Sequence, residues 1–482
     1  MKKTLALIST ILITVIFTST LNAQNENDAL RYSLINYGGT GRFAGLSGAY
    51  GAVGADFSSL SQNPAGIGLY RKSEFTITPV ISSNNTTTNY INHSINDSHT
   101  TMYLGNVGYV FSQNLRGQAG PLFQVQFGFG INQLSRFNNF MTLSGYNNSN
   151  SLMTTYVDDV NNSGTAPAEW DAFGAGLAYD VDLIFADTIN NRWAADMEYG
   201  GIQQTKTVET RGSTNETVLS LGANISDKLF LGMTFAFPYI RYEEISNYTE
   251  DDTKNTNNYY NSFTRYEYLN TRGTGFNFKA GFIYMPVEYL RIGGAIHTPT
   301  NYYNMSDSYS ASMNSYFEGG VHYSENSPDG YFDYELKTPF RAMGSIAVIL
   351  GKYGLISADY EYLDYSQAKL SSYNYSFYDE NDAIRSEYTS SNNFRFGAEL
   401  KAGIGALRGG YSFSGTPFVG AGTKGERTGF SCGAGIRDKS YFIDFSYNHC
   451  SMDANYYLYS TAPVSNNQVK TNSYSLTFGF RF

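Results

Sequence analysis

Asn472-Ser473-Tyr474-Ser475-Leu476-Thr477-Phe478-Gly479-Phe480-Arg481-Phe482 ends the chain, and its reading decides the fold. Tyr474, Leu476, Phe478, Phe480 and Phe482 fall at every second position, with Ser473, Ser475, Thr477, Gly479 and Arg481 between them. Successive side chains of a strand point to opposite faces, so one face here is wholly apolar and aromatic while the other is small or polar. A strand of a soluble sandwich has this pattern. So does a strand with lipid on one side and an aqueous lumen on the other.

The alternation recurs upstream. Phe123, Val125, Phe127, Phe129 and Ile131 oppose Gln124, Gln126, Gly128, Gly130 and Asn132, and Phe394, Phe396, Ala398 and Leu400 oppose Arg395, Gly397, Glu399 and Lys401. Counted back from Phe482, strands are predicted near 470–482, 440–452, 426–437, 404–415, 391–402, 353–366, 337–350 and 288–298. The remaining six fall near 262–285, 228–244, 203–226, 121–136, 100–113 and 73–83, fourteen in all. Tight turns at Ser226-Asp227-Lys228, Met285 to Val287, Gly351-Lys352 and Arg437 to Ser440 alternate with long polar stretches such as 137–202, 299–336 and 367–390. An even strand number with short turns at one end and long loops at the other is the pattern of outer-membrane barrels, and a sandwich does not segregate its loops so. The expected class is therefore all-β: a 14-stranded antiparallel transmembrane β-barrel spanning 73–482, in the Gram-negative outer membrane.

Composition agrees. Charged residues are 15% of the chain against the roughly 25% of ordinary globular proteins, while Tyr (42), Phe (33) and Gly (48) are abundant. The mean hydropathy of -0.33 reflects apolar positions diluted by alternation. Lys2 and Lys3, the apolar run Leu5 to Phe17 and the small-residue site Leu21-Asn22-Ala23 read as a secretory signal peptide over 1–23. Loss of its two lysines takes the formal charge from -10 to -12, which discourages nucleic-acid binding. Cys432 and Cys450 flank one predicted turn out of register, facing about 445 and 427, so both are expected to be unpaired. Within the longest loop, Trp170, Phe173, Leu177, Val181 and Ile184 are spaced for a helix over Pro167 to Ile184, outside the wall or over the barrel mouth.

Residues 24–72 do not alternate and are dense in glycine, which permits tight turns and close backbone approach. A compact segment joined to the first strand has room to fold into the lumen as a plug. The run Gly38-Gly39-Thr40-Gly41-Arg42, then Ser47-Gly48-Ala49-Tyr50, Asp56 and Asn63-Pro64-Ala65 resembles the N-terminal hatch of the FadL family. Arg291-Ile292-Gly293 with His297-Thr298-Pro299, Ala358-Asp359-Tyr360-Glu361-Tyr362 and Leu407-Arg408-Gly409-Gly410-Tyr411 resemble its later strands, so the similarity spans nearly the whole mature chain. The hatch is most similar to the Bacteroidetes branch.

The resemblance implies an outer-membrane transporter of long-chain fatty acids or other hydrophobic molecules, carrying them through a plugged barrel and releasing them sideways beside a kinked third strand. Gly38, Gly39, Gly41, Arg42, Asn63, Pro64 and Ala65 would then form the hatch and its gate. Gly128 and Gly130 would weaken the third strand, or else only admit the hatch against the wall. Lys279, Arg291, Arg395 and Arg408, with Lys401, lie on the polar faces of their strands, placed for a ligand head group or for charge ladders with Glu399, Asp359 and Glu361. Asp359 and Glu361 themselves read as a solvated lumen wall. Five histidines without paired spacing, His297 at a strand end among them, support neither a metal nor a haem site, and no nucleophile with a fitting base stands out. No cofactor and no enzymatic activity are expected. The expected partners are hydrophobic small molecules, outer-membrane lipids and, through the terminal Phe482, the barrel-assembly machinery. The alternative function is a non-transporting interaction barrel in an envelope or secretion complex.

Overall fold

The computed structural model describes residues 25–257 and 259–482, and the predicted signal peptide lies outside the described residues. Fourteen wall strands follow one another: Glu74–Tyr90 (β1), His93–Asn114 (β2), Leu122–Arg136 (β3), Ile202–Ile225 (β4), Leu229–Asp251 (β5), Tyr260–Val287 (β6) and Leu290–His297 (β7). The second half is Arg341–Ile349 (β8), Gly354–Asp364 (β9), Ser390–Ala402 (β10), Gly405–Ser414 (β11), Arg427–Arg437 (β12), Tyr441–Tyr456 (β13) and Ser465–Arg481 (β14). Each pairs antiparallel with the next. β14 returns to β1 through a ladder from Glu74↔Arg481 to Asn89↔Asn466, which closes the ring.

The wall is polar inside and apolar outside. On β10, Asn393, Arg395 and Glu399 are 5, 8 and 0% exposed, whereas Phe394, Phe396 and Leu400 are 39, 50 and 62% exposed. On β14, Tyr474, Leu476 and Phe480 face outward and Ser475 and Thr477 inward. The outward apolar faces of neighbouring strands, such as Phe127 and Phe129, Phe235 and Phe237, Phe430 and Phe445, join into a belt. A soluble sandwich would bury these residues; a barrel in lipid exposes them.

Crossing a bilayer takes about 9–11 strand residues, but β4, β5 and β6 have 24, 23 and 28. The wall therefore continues beyond the apolar belt, and here the sequence expectations need correcting. The stretches 137–202, 299–336 and 367–390 are not simply loops: Asn139–Asn147 pairs with β4, and Asn301–Phe317 with β6. Leu152–Ser163 and Tyr378–Glu387 are helices. The first outer connection, expected as a long loop, is the two-residue turn Ile91–Asn92, with φ of 40° and 61°, the left-handed pair that tight hairpins use. The helix expected over Pro167 to Ile184 is broken into a 3-10 turn, Pro167–Glu169, and a short helix, Ala175–Asp180. Gly174, at φ -132° and ψ -103°, begins the second piece without a side-chain cap. Trp170, Leu177, Val181 and Ile184 are nonetheless buried, in a cluster with Met153, Val157, Phe263 and Tyr459 that caps the outer mouth. Cys432 stands opposite Tyr447 and Cys450 opposite Gly429, and both thiols are free.

Candidate functional site

The residues that precede β1 lie within the ring of strands. Helix Glu26–Ser33 is capped by Asn25 and packs Leu30 and Tyr32 against Tyr302, Tyr334 and Ile384 near the outer end. At the other end, the Tyr70 carbonyl accepts hydrogen bonds from Ser112 on β2 and Gln126 on β3. Between these points the segment meets the wall on every side. The Gly41 N–H donates to Thr477 Oγ1 at 2.7 Å. Tyr50 and Gly51 N–H both donate to Asp359 Oδ2, at 2.8 and 2.9 Å, and Thr234 Oγ1 donates to the Leu60 carbonyl at 3.0 Å.

The glycines of this segment and of the wall permit that closeness. A Cβ on Gly41 would stand 2.6 Å from the Asp444 carbonyl oxygen, and one on Gly39 2.3 Å from Ser58 Oγ. Asn63 caps the turn Pro64–Leu69, its Oδ1 accepting from Ala65 N–H at 3.1 Å, while its Nδ2 donates to the Gly51 carbonyl at 2.6 Å and to Phe282 of β6 at 3.2 Å. Pro64 and Ala65 press their backbone onto Gly232 of β5, where a Cβ would come within 2.2 Å of Pro64. Gly128 and Gly130 make room for Leu60, Ile67 and Phe57, with a Cβ at 2.6 and 2.5 Å from Leu60 and Phe57.

The inward cations are engaged. Lys279 Nζ lies 2.5 and 2.6 Å from the two Glu216 oxygens and donates to the Ser61 carbonyl. Arg291 donates to the Val53 carbonyl. Arg395 and Arg341 each bond Glu361 at 2.8 Å. Arg42 bonds Glu399, which also receives Arg408 at 2.7 Å and faces Lys401 at 3.4 Å, and Arg408 reaches Asp444 at 2.7 Å. A buried carboxylate is tolerable when paired and hydrogen-bonded. Asp359 and Glu361 are 4 and 1% exposed, so the solvated wall expected for them is instead a set of buried anchors. His297 Nε2–H donates to the Gln62 carbonyl at 2.7 Å, which makes it another anchor. Sequence reasoning missed Glu216, Thr477 and Asp444, whose only signal is an inward position on an alternating strand.

One part of the wall is incomplete. The β2–β3 ladder runs only from Asn106↔Asn132 to Asn114↔Gln124. Above it β2 continues to His93 paired with β1, and β3 continues to Arg136 paired with β4 through a bulge between Gln133 and Ser135. Alternation fails here, with Asn132, Gln133, Leu134 and Ser135 all buried. The lumen segment occupies the freed edge: Asn36 N–H donates to the Leu134 carbonyl at 2.7 Å and Gly38 N–H to Gln133 at 3.0 Å. The Arg136 guanidinium lies 3.9 Å over the Tyr103 ring across the interruption, and higher up Thr142 N–H donates to Asp97 at 2.7 Å. The interruption thus falls at Gln133–Arg136, above Gly128 and Gly130. Behind it is a lumen cavity of about 250 Å³, bordered by Tyr37, Gly38 and Gly39 of the segment and by Tyr103, Gln133 and Arg136 of the wall.

No protein-family model matches the sequence, and no curated protein matches it. Its architecture has clear counterparts. A FadL homologue of Pseudomonas aeruginosa superposes with a TM-score of 0.57 at 13% identity, covering 92% of this chain and 98% of that one. The Pseudomonas putida toluene transporter TodX gives 0.54 at 11% identity, over 93% and 99%. The monoaromatic hydrocarbon channel CymD gives 0.50 at 10% identity, over 92% and 98%. The fold is that of the FadL-type barrels.

Proposed function

We propose that this barrel carries hydrophobic molecules, fatty-acid-like amphiphiles among them, across the outer membrane, with residues 24–72 as its hatch and with release sideways between β2 and β3. The observation that carries the reading is the interrupted β2–β3 ladder, with a lumen cavity behind it and the exposed Met102 and Leu104 on its outer border. An apolar solute gains nothing from an aqueous pore, so a route from an internal cavity directly into lipid suits it. The Asn36–Gly38 backbone closes that route by bonding the β3 edge, and Arg136 over Tyr103 braces it. Opening requires those few contacts to yield while the rest of the wall stays paired. No catalytic step is assigned.

The test uses the full mature protein in proteoliposomes, with uptake of palmitate and toluene as readouts. Gly38→Pro removes the N–H that bonds Gln133 and should raise the leak of both probes while the heat-modified gel band stays in place. Deleting residues 24–60 should change uptake in a barrel that still folds. Unchanged uptake of both probes in both variants would sink the gating role. The second reading, an interaction barrel in an envelope or secretion complex, is favoured by how fully the hatch and its ion pairs fill the lumen. Mass spectrometry after mild extraction separates the two, since a transporter retains apolar ligand and a scaffold retains none.

A further inference from the structure

Resting on that reading and narrowing it, we infer that the lumen cavity selects a compact amphiphilic acid, of the size of a benzoate, over a neutral hydrocarbon. Three arginines, Arg136, Arg395 and Arg427, line the cavity, and among its described lining residues none is acidic. Each arginine keeps a buried N–H nitrogen without a hydrogen-bond partner: Nε of Arg136, Nη1 of Arg395 and Nε of Arg427. Arg395 is 8% exposed and spends its Nη2 on Glu361 at 2.8 Å, leaving Nη1 over. Arg136 has the Tyr103 face but no carboxylate partner among the described residues. Among the described residues the Arg427 side chain bonds the Asn36 amide oxygen and no carboxylate.

Buried donors left unpaired are unfavourable, and guanidinium groups are matched best by a carboxylate or a similar oxyanion. Arg42, Arg408 and Arg341, which do not line this cavity, are paired with Glu399, Asp444 and Glu361. Around this cavity Arg395 alone has such a partner, Glu361, and Arg136 and Arg427 have none among the described residues, which leaves positive charge facing it. Ile35, Phe43 and Val80 border the same space, giving an apolar surface beside the cations. At about 250 Å³ the cavity is slightly below the roughly 300–1,000 Å³ of typical ligand pockets, which favours one ring or a short chain.

The experiment is equilibrium binding of benzoate and of toluene, nearly equal in shape, to the full mature protein in detergent, with inorganic phosphate as competitor. Benzoate should bind saturably and at least about tenfold tighter than toluene. Arg136→Gln and Arg427→Gln should each weaken benzoate at least about fivefold more than they change toluene. Arg395→Lys, which keeps a charge for Glu361, guards against a misfolded variant and should weaken benzoate less. Toluene binding as tightly as benzoate, or benzoate indifferent to the variants, overturns the acid assignment and leaves hydrophobic transport standing. Displacement of benzoate by equimolar phosphate overturns the amphiphile half of the proposal. If neither probe binds and neither crosses proteoliposomes, the transport reading falls as well.

Discussion

Arg42 and Glu399 form a two-point bond, Nε to Oε2 at 2.8 Å and Nη2 to Oε1 at 2.9 Å, that ties the lumen segment to β10. Glu399 is completely buried and is shared with Arg408. Glu399→Gln leaves two guanidinium groups without their common anion, which should cost about 3–5 kcal/mol. Arg42→Gln leaves Glu399 still paired with Arg408 and should cost less, about 1–3 kcal/mol. Thermal unfolding in detergent, followed by the heat-modified gel shift, gives the order; a costlier Arg42→Gln would contradict it.

Two wall glycines offer a matched pair. A Cβ on Gly232 would meet the Pro64 backbone at 2.2 Å, whereas one on Gly344 would meet nothing within 4 Å. Gly232→Ala must displace the Pro64–Leu69 turn, costing about 1–3 kcal/mol, and should speed amide exchange over 60–70. Gly344→Ala should leave exchange there unchanged.

The outer cap should tighten as pH falls. Glu250, at the outer end of β5 and fully buried, accepts from the Leu152 N–H at 2.9 Å and from Gln204 Nε2 at 2.9 Å, and holds the Ser151 hydroxyl. Burial raises its pKa above the ordinary 4.5 despite those donors. The folded cap therefore holds the proton more tightly than the unfolded chain does. That contribution is complete below about pH 4.5 and is lost as pH rises through the higher folded value. Amide protection of Leu152–Ser163 should be greater at pH 5 than at pH 8, and Glu250→Gln should flatten the difference.

The outward belt predicts its own penalties. Phe396, half exposed on β10, replaced by Lys should lower folding stability in bilayers by about 2–4 kcal/mol, the cost of a cation on the lipid face. Thr100→Lys, on the outward face of β2 in the extension beyond the belt, should be nearly neutral. Urea titrations of folding into vesicles compare the two.

The membrane part of this fold was legible because lipid demands an apolar outward face, and Phe394, Phe396 and Leu400 announce one. The extension was not. Along Asn84-Asn85-Thr86-Thr87-Thr88-Asn89 water wets the outer face, so no hydrophobic alternation marks a strand that is fully paired with β2. The short helix Glu26–Ser33 escaped notice because its apolar contacts are with the barrel interior and not with itself. Near the candidate site, the sequence offers the glycines and Arg42 as candidates but not the residues they touch. Arg42 and Glu399 are 357 residues apart, and only the closed ring brings them together. The interruption at Gln133–Arg136 is set by a one-residue bulge, which leaves no compositional trace.

Closure itself happens around a filled interior. Thr78 of β1 and Thr477 of β14 face each other across the joint between first and last strands, with their hydroxyls 2.7 Å apart. The Gly41 N–H bonds that same Thr477 from inside. One hydroxyl, that of Thr477, therefore ties the first strand, the last strand and the interior segment together, so the seam of the ring and its filling share a single fastening point.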